Sequence, residues 1–211
     1  MKKIIPIIIL VISLIGLSFY YMDYLKQVRI INNLKTIEDI NKYKTINKNT
    51  ISYIKVKGTK VDFPVVQYKD NDYYLKHSFD NSKNKYGWIF MDYRNDYFND
   101  MNTIIYGHTI DNKLMFASLK NILSDNSINE IEVYENERFV KYQIFSVYII
   151  EPVNDYLRMN FPVNEYDMFL NDIKKRSIYD YGIDVNVGDK ILTLSTCYQN
   201  DDRLVIHAKK L

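Results

Sequence analysis

The nineteen consecutive residues from Ile4 to Met22 carry no charge and are mostly apolar. In lipid, such a stretch must satisfy its backbone N–H and C=O groups internally, so it becomes a helix. At 1.5 Å per residue it spans about 28 Å, close to the roughly 30 Å hydrocarbon layer of a bilayer. Pro6 lies in the first turn, where a missing N–H is tolerated. Tyr20 and Tyr21 lie at the far end, where aromatic rings favour the membrane–water boundary. A cleaved secretory leader is the competing reading, but the stretch is long for one and no Ala-x-Ala-like site follows. The sequence therefore predicts a transmembrane signal anchor over residues 4–22, preceded by residues 1–3. The basic residues are nearly balanced, with Lys2 and Lys3 before the span and Lys26 and Arg29 after it, so they do not fix its orientation.

Beyond the anchor, about 160 to 185 residues remain, enough for one domain with a real core. The chain has a single cysteine, so no internal disulfide can form. An unpaired cysteine outside the cytoplasm is an anomaly that a reactive thiol explains. A net charge of +2 gives no argument for nucleic acid or for a specific anionic surface. Twenty tyrosines and ten phenylalanines exceed what such a core needs, and several are expected to line a groove.

Residues 23–50 read as an N-terminal helical segment, because Leu25, Val28, Ile31, Leu34, Ile37 and Ile40 recur every three residues. The remaining domain is expected over 51–211. As far as Tyr148 it is mostly short β-type runs broken by Gly, Asn and Asp, with a short helix at Leu114–Leu123. A second helix is predicted over Asn164–Arg176, whose acidic residues come early and basic ones late, as a helix dipole favours.

The one thiol, Cys197, follows the strand-like run Lys190-Ile191-Leu192-Thr193-Leu194-Ser195, and Arg203 opens the next such run after only five residues. A thiol at a strand end with a guanidinium on the neighbouring strand suits a nucleophile and its electrophilic partner. A lone cysteine also packs as an inert small hydrophobe, so the pair alone does not decide. Tyr106-Gly107-His108 supplies an imidazole at another apparent strand end. A thiol nucleophile needs a proton shuttle near neutrality, although a solvated loop histidine would read the same way. In a regular strand Ser195 shares the face of Cys197, where it can meet substrate, orient His108 or simply bond backbone, while Thr196 points away. Tyr106 is a candidate to shape a groove.

Together these residues resemble the sortases, membrane-anchored cysteine transpeptidases of Gram-positive bacteria, and among them class B. The signature Thr-Leu-x-Thr-Cys stands here as Thr193-Leu194-Ser195-Thr196-Cys197, with the class B serine at the variable place. Gly58-Thr59-Lys60-Val61-Asp62-Phe63-Pro64-Val65-Val66, Asn71 to His77, Gly87 to Asp92, Asn102 to His108 and Met115-Phe116-x-x-Leu119 match further class B segments in order. The match covers about residues 50 to 211; its one departure is the short connection between Cys197 and Arg203.

The resemblance implies a mainly β fold, a closed eight-stranded barrel with peripheral helices, N-terminal helices and a helix before the Cys strand. It implies a cysteine transpeptidase using Cys197, His108 and Arg203, with Ser195 and Tyr106 as substrate-binding candidates and no cofactor. Its partners would be a secreted protein bearing a C-terminal sorting signal and a peptidoglycan amine. The catalytic domain would lie on the outer face of a single-pass membrane protein.

Two other classes stay open. A thiol peptidase or wall hydrolase would cleave rather than join, but its Cys usually precedes its His. A non-catalytic peptide-binding protein would have no need of all three groups. Asp92, Asp96 and Asp100 recur every four residues without the glycine and terminal glutamate of a calcium loop, and read as solvated loop charges, so no metal is expected. His207 shares strand parity with Arg203 and is a minor candidate; His77 has no nucleophile nearby in sequence.

Overall fold

Alternation of apolar and polar residues, as in Glu130-Ile131-Glu132-Val133-Tyr134-Glu135, makes half-buried strands, and here they close on themselves. The structure, a computed structural model, describes residues 4–34, 40–109 and 114–211. The strands are β1 (Thr50–Val56), β2 (Asp62–Val66), β3 (Phe90–Met91), β4 (Asn102–Tyr106), β5 (Glu130–Glu135), β6 (Arg138–Ile150), β7 (Ile191–Cys197) and β8 (Arg203–Lys210). They form a closed barrel in the order β1-β2-β3-β4-β7-β8-β6-β5. The pairs β2–β3 and β4–β7 are parallel and the others antiparallel, so the expected eight-stranded mixed barrel is found.

Two cores follow from strand parity. Leu192 and Leu194 of β7 and Leu204, Ile206 and Ala208 of β8 point into the barrel with Ile54, Val65 and Trp88. The opposite face of the same strands, through Ile191 and Val205, packs on Tyr166, Leu170 and Ile173 of a helix laid outside the barrel. That helix spans Val163–Lys175, within a residue of the predicted 164–176, and has Glu165 in its first turn and Lys174 and Lys175 in its last. Residues Met115–Leu123 form 3₁₀ turns where a short helix was predicted.

The N-terminal helix α1 runs unbroken from Ile4 to Leu34, passing through Asp23, and is long and apolar enough to cross a membrane. A shorter helix, α2, spans Ile40–Ile46; the helix outside the barrel is α3. The apolar side chains of α1 as far as Met22 are exposed, whereas Gln27, Ile31 and Leu34 are buried against the barrel. The three-residue spacing thus located Ile31 and Leu34, but Leu25 is exposed and Ile37 and residues 1–3 lie outside the described residues.

Two expectations are corrected. Asp92 and Asp100 are not solvated: Asp92 is fully buried and Asp100 nearly so, leaving only Asp96 exposed. Each carboxylate instead closes a turn. Asp92 accepts from the backbone N–H of Arg94 at 3.0 Å, and Asp100 accepts from Asn95 Nδ2 at 2.7 Å and the Asp96 N–H at 2.9 Å. His207 is also fully buried, between the barrel and α3, where it shares hydrogen bonds with the hydroxyls of Tyr148 (2.9 Å) and Thr193 (2.8 Å).

Burial first, and then the nearby positive charge of Arg176, push the His207 pKa down to about 3. The unfolded chain protonates near 6.5, so between about pH 6.5 and 3 it binds a proton that the folded state refuses. Stability should fall as pH drops through that window, this group contributing up to about 1.4 kcal/mol per pH unit. His207→Gln, which can still bond Tyr148 and Thr193, should show a shallower loss between pH 7 and 5 in denaturant titrations.

Candidate active site

Six buried residues of β7 lead to an exposed seventh, Cys197, a free thiol at the strand's last position. Its partner across the antiparallel β7–β8 ladder is Arg203, the first residue of β8. The five residues between them form a tight connection, with a 3₁₀ turn at Gln199–Asp201, Asp201 in the left-handed region (φ 66°), and the Tyr198 N–H donating to Asp202 O at 2.7 Å. The Arg203 guanidinium donates from Nη1 to the carbonyls of Asp201 and Asp202.

The imidazole arrives from the other side of β7. Strand β4 runs parallel to β7 with Tyr106 opposite Ser195, so the residues that follow both strands leave the barrel together. The Gly107 N–H donates to Ser195 O at 3.3 Å, and Thr196 Oγ1 donates to Gly107 O at 2.6 Å while also bonding the Thr109 hydroxyl. Thr196 thereby ties the residue before Cys197 to the residue before His108. Position 107 admits only glycine, since a Cβ there would lie 2.6 Å from the Phe116 ring.

His108 is half-buried, with Nε2 2.9 Å from Leu75 O. A carbonyl only accepts, so Nε2 carries the hydrogen and Nδ1 is the nitrogen left to exchange a proton. Burial lowers the His108 pKa, the bond to Leu75 acts in the opposite sense, and the net shift is downward, so the neutral form prevails at pH 7.

Cys197, His108 and Arg203 open onto one cleft of about 290 Å³. Phe90 and Tyr106 line it, with Asn71, Asp72 and Leu75 contributing from one segment and Pro152 to Asn154, Tyr156 and Leu157 from the segment before α3. The Tyr106 hydroxyl donates to Asp92 Oδ2 at 2.9 Å. Arg94 pairs with the same carboxylate through Nε and Nη2 and also donates from Nη2 to Leu157 O at 3.3 Å. Burial works to raise the Asp92 pKa, but the hydrogen bonds from Arg94 and Tyr106 outweigh it and the net shift is downward. A buried carboxylate thus fastens Tyr106 to the segment that carries Leu157.

Ser195 is buried on the predicted face, and its hydroxyl shares a 3.0 Å hydrogen bond with the Tyr156 hydroxyl. Asn71, Asp72 and Phe90 lay in matched segments without being singled out for the site, and Tyr156 had no distinguishing pattern in the sequence; it sits in an irregular stretch, and its place is set by Asn102, whose Nδ2 donates to Tyr156 O (3.2 Å) and Arg158 O (2.9 Å). His77 lies apart from the cleft lining, stacked on Tyr73 at 4.0 Å between ring centroids.

The sortase domain family model matches residues 54–211. Sortase B of Listeria monocytogenes is 34% identical over 181 residues, 82% of this chain and 74% of that protein. The fold is similar to sortase B from B. anthracis, at a TM-score of 0.82 with 32% identity, over 90% of this chain and 99% of that one. It is also similar to the Staphylococcus aureus sortase B–substrate complex, at a TM-score of 0.76 with 33% identity over 82% of this chain and 84% of that one. The chain belongs to the sortase family, as a class B member. It is a cysteine transpeptidase of the kind that anchors surface proteins to the cell wall.

In this sortase the Thr196–Gly107 bond holds two strand ends in register. Thr196→Val keeps the shape but leaves the buried Gly107 carbonyl without that donor, which should lower stability by about 1–3 kcal/mol. Turnover should drop by more than the small change in folded fraction explains, because the His108 and Cys197 backbones lose their tie; parallel melting and rate measurements on the variant check this.

Proposed function

We propose that Cys197 is the nucleophile, His108 the proton shuttle and Arg203 the group that holds the substrate and stabilises its carbonyl oxygen. The observation that carries this reading is that the three residues, from the ends of three neighbouring strands, share one cleft with an exposed thiol.

The reaction runs in two halves. The Cys197 sulfur adds to a backbone carbonyl carbon of a C-terminal sorting signal, after its Thr. His108 takes the Cys197 thiol proton as the sulfur adds; the C–N bond then breaks, His108 gives that proton to the departing amine, and a thioester forms. An amine of the peptidoglycan stem or cross-bridge then attacks the thioester, and His108 takes its proton and passes it to the Cys197 sulfur as the C–S bond breaks and a new amide forms. The acyl linkage is conserved through both halves instead of being lost to water. Arg203 suits its role because a guanidinium stays charged and presents its donors in a fixed fork. Ser195 and Tyr106 contribute to the substrate surface through the cleft they line.

The S. aureus relative was solved as a substrate complex, which supports a sorting-signal substrate for this chain. Its secreted clients would meet the cleft on the outer face, with residues 1–3 inside, 4–22 spanning the membrane, 23–50 as a helical support and 51–211 as the catalytic domain. The apolar α1 supports that arrangement.

Intact-mass spectrometry with a panel of sorting-signal peptides tests the reading. The native protein should gain the mass of an acyl fragment and release it as a new amide when an amine is added, while Cys197→Ala gains nothing. Hydrolysed peptide that never transfers would point to a peptidase, and no adduct with any peptide to a binder. Arg203→Lys should be nearly as slow as Arg203→Ala, about 10²–10³ below the native rate, since a point charge does not replace the fork; near-native turnover by the lysine variant would refute its role.

A further inference from the structure

Three residues of α1 are buried, and Gln27 is the only polar one among them. For packing alone a leucine would serve; a buried amide needs partners at both ends. Gln27 has them. Its Oε1 accepts from the Ser78 hydroxyl and its Nε2 donates to Gly87 O at 3.2 Å. One side chain of the N-terminal helix therefore clamps both ends of the segment from Ser78 to Gly87. Adjacent contacts keep the same register: Tyr24 meets the Tyr86 ring edge-on at 6.3 Å, and the Lys85 ammonium lies 3.2 Å from the centroid of the Tyr20 ring.

The segment so clamped is the seat of His108. Gly87 has φ +58°, and a Cβ there would lie 2.4 Å from Tyr74 O and 2.8 Å from His108 Cδ2, so its backbone is pressed directly on the imidazole. The same ring also bonds from Nε2 to Leu75 O, and the Trp88 N–H donates to Tyr74 O at 2.8 Å, closing Gly87 against the same stretch. The imidazole thus rests between Leu75 O and Gly87, and Gly87 is held from behind by Gln27.

We propose that Gln27 is a positioning residue for transpeptidation: through its amide, α1 sets the seat of His108 and so the aim of the proton shuttle. The proposal rests on the reading of His108 as that shuttle. Because α1 is continuous from Ile4 to Leu34, any tilt or slide of the helix against the barrel is transmitted to the carbonyl of Gly87. A misplacement of about 1 Å at a catalytic group is enough to slow a reaction by about 10².

The test uses the full-length protein in lipid nanodiscs, with Gln27→Met as the variant of similar length that makes no amide bonds and Ser78→Ala as a milder second variant. For Gln27→Met, kcat for transfer of a sorting peptide to an amine should fall about tenfold or more, with Ser78→Ala falling less. KM should stay within about twofold and melting should remain cooperative, since the substrate surface is untouched. Native kcat in Gln27→Met, or a loss that only tracks the unfolded fraction of both variants, would overturn the proposal. His108→Ala is run alongside: if it retains activity, the assignment of the shuttle itself fails, whereas a dead His108→Ala beside a fully active Gln27→Met sinks the role of Gln27 alone.

Discussion

Because β4 and β7 run parallel and end side by side, with Tyr106 opposite Ser195, the residues that follow the two strands emerge at one rim of the barrel. Parallel neighbours cannot be joined by a hairpin, and the connection here carries β5, β6 and α3 before the chain returns as β7. The imidazole and the thiol are therefore 89 residues apart in sequence (108 to 197) yet belong to adjacent chain ends. Arg203 needs no such journey, since β8 pairs with β7 after a short turn. One parallel pairing and one antiparallel pairing place all three groups, and Thr196 locks the first of them by its bond to Gly107.

The walls of the cleft depend on polar groups that the barrel buries deliberately. Asn102, at the start of β4, accepts from the Thr193 hydroxyl at 2.6 Å and donates to two carbonyls of the segment around Tyr156. Thr193 shares a second bond with His207, which bonds Tyr148 in turn. On the other side, Asp92 joins Tyr106 to Arg94 and, through it, to Leu157. An unpaired buried polar atom is destabilising by about 1–3 kcal/mol, so a satisfied chain of this kind fixes an irregular segment about as firmly as a strand. Residues 151–162 contain neither helix nor strand, and this is how they nonetheless form a defined wall.

The sequence disclosed those parts of the molecule that obey a period or a signature. Strand parity put Ser195 on the face of β7 that carries the thiol, both lining the cleft, and charge order located α3 within a residue. What it concealed were the polar residues whose burial depends on distant partners. Asp92 and Asp100 look like loop charges because nothing within a few residues announces Tyr106 or Asn160 as partners. Tyr156 was hidden for the same reason, being one of twenty tyrosines and placed by Asn102, 54 residues away. Gln27 was passed over because a search for apolar periodicity reads a glutamine as the solvated side of the helix, and only the closed barrel supplies Ser78 and Gly87 to meet it.

The short connection after Cys197 bears on the guanidinium of Arg203 and not on the register that places its backbone. Antiparallel register alone sets Arg203 opposite Cys197, whatever length of chain joins them. The five residues do, however, leave room for only one turn, and the chain manages it with Asp201 at positive φ, where a non-glycine residue sits at some conformational expense. That turn aims the carbonyls of Asp201 and Asp202 at the guanidinium, which donates to both. A longer loop would carry these acceptors away and let the long arginine side chain sample more rotamers, each of which must be given up when substrate binds. The compact loop therefore holds the guanidinium against its own carbonyls, at the mouth of the cleft that Arg203 shares with the thiol.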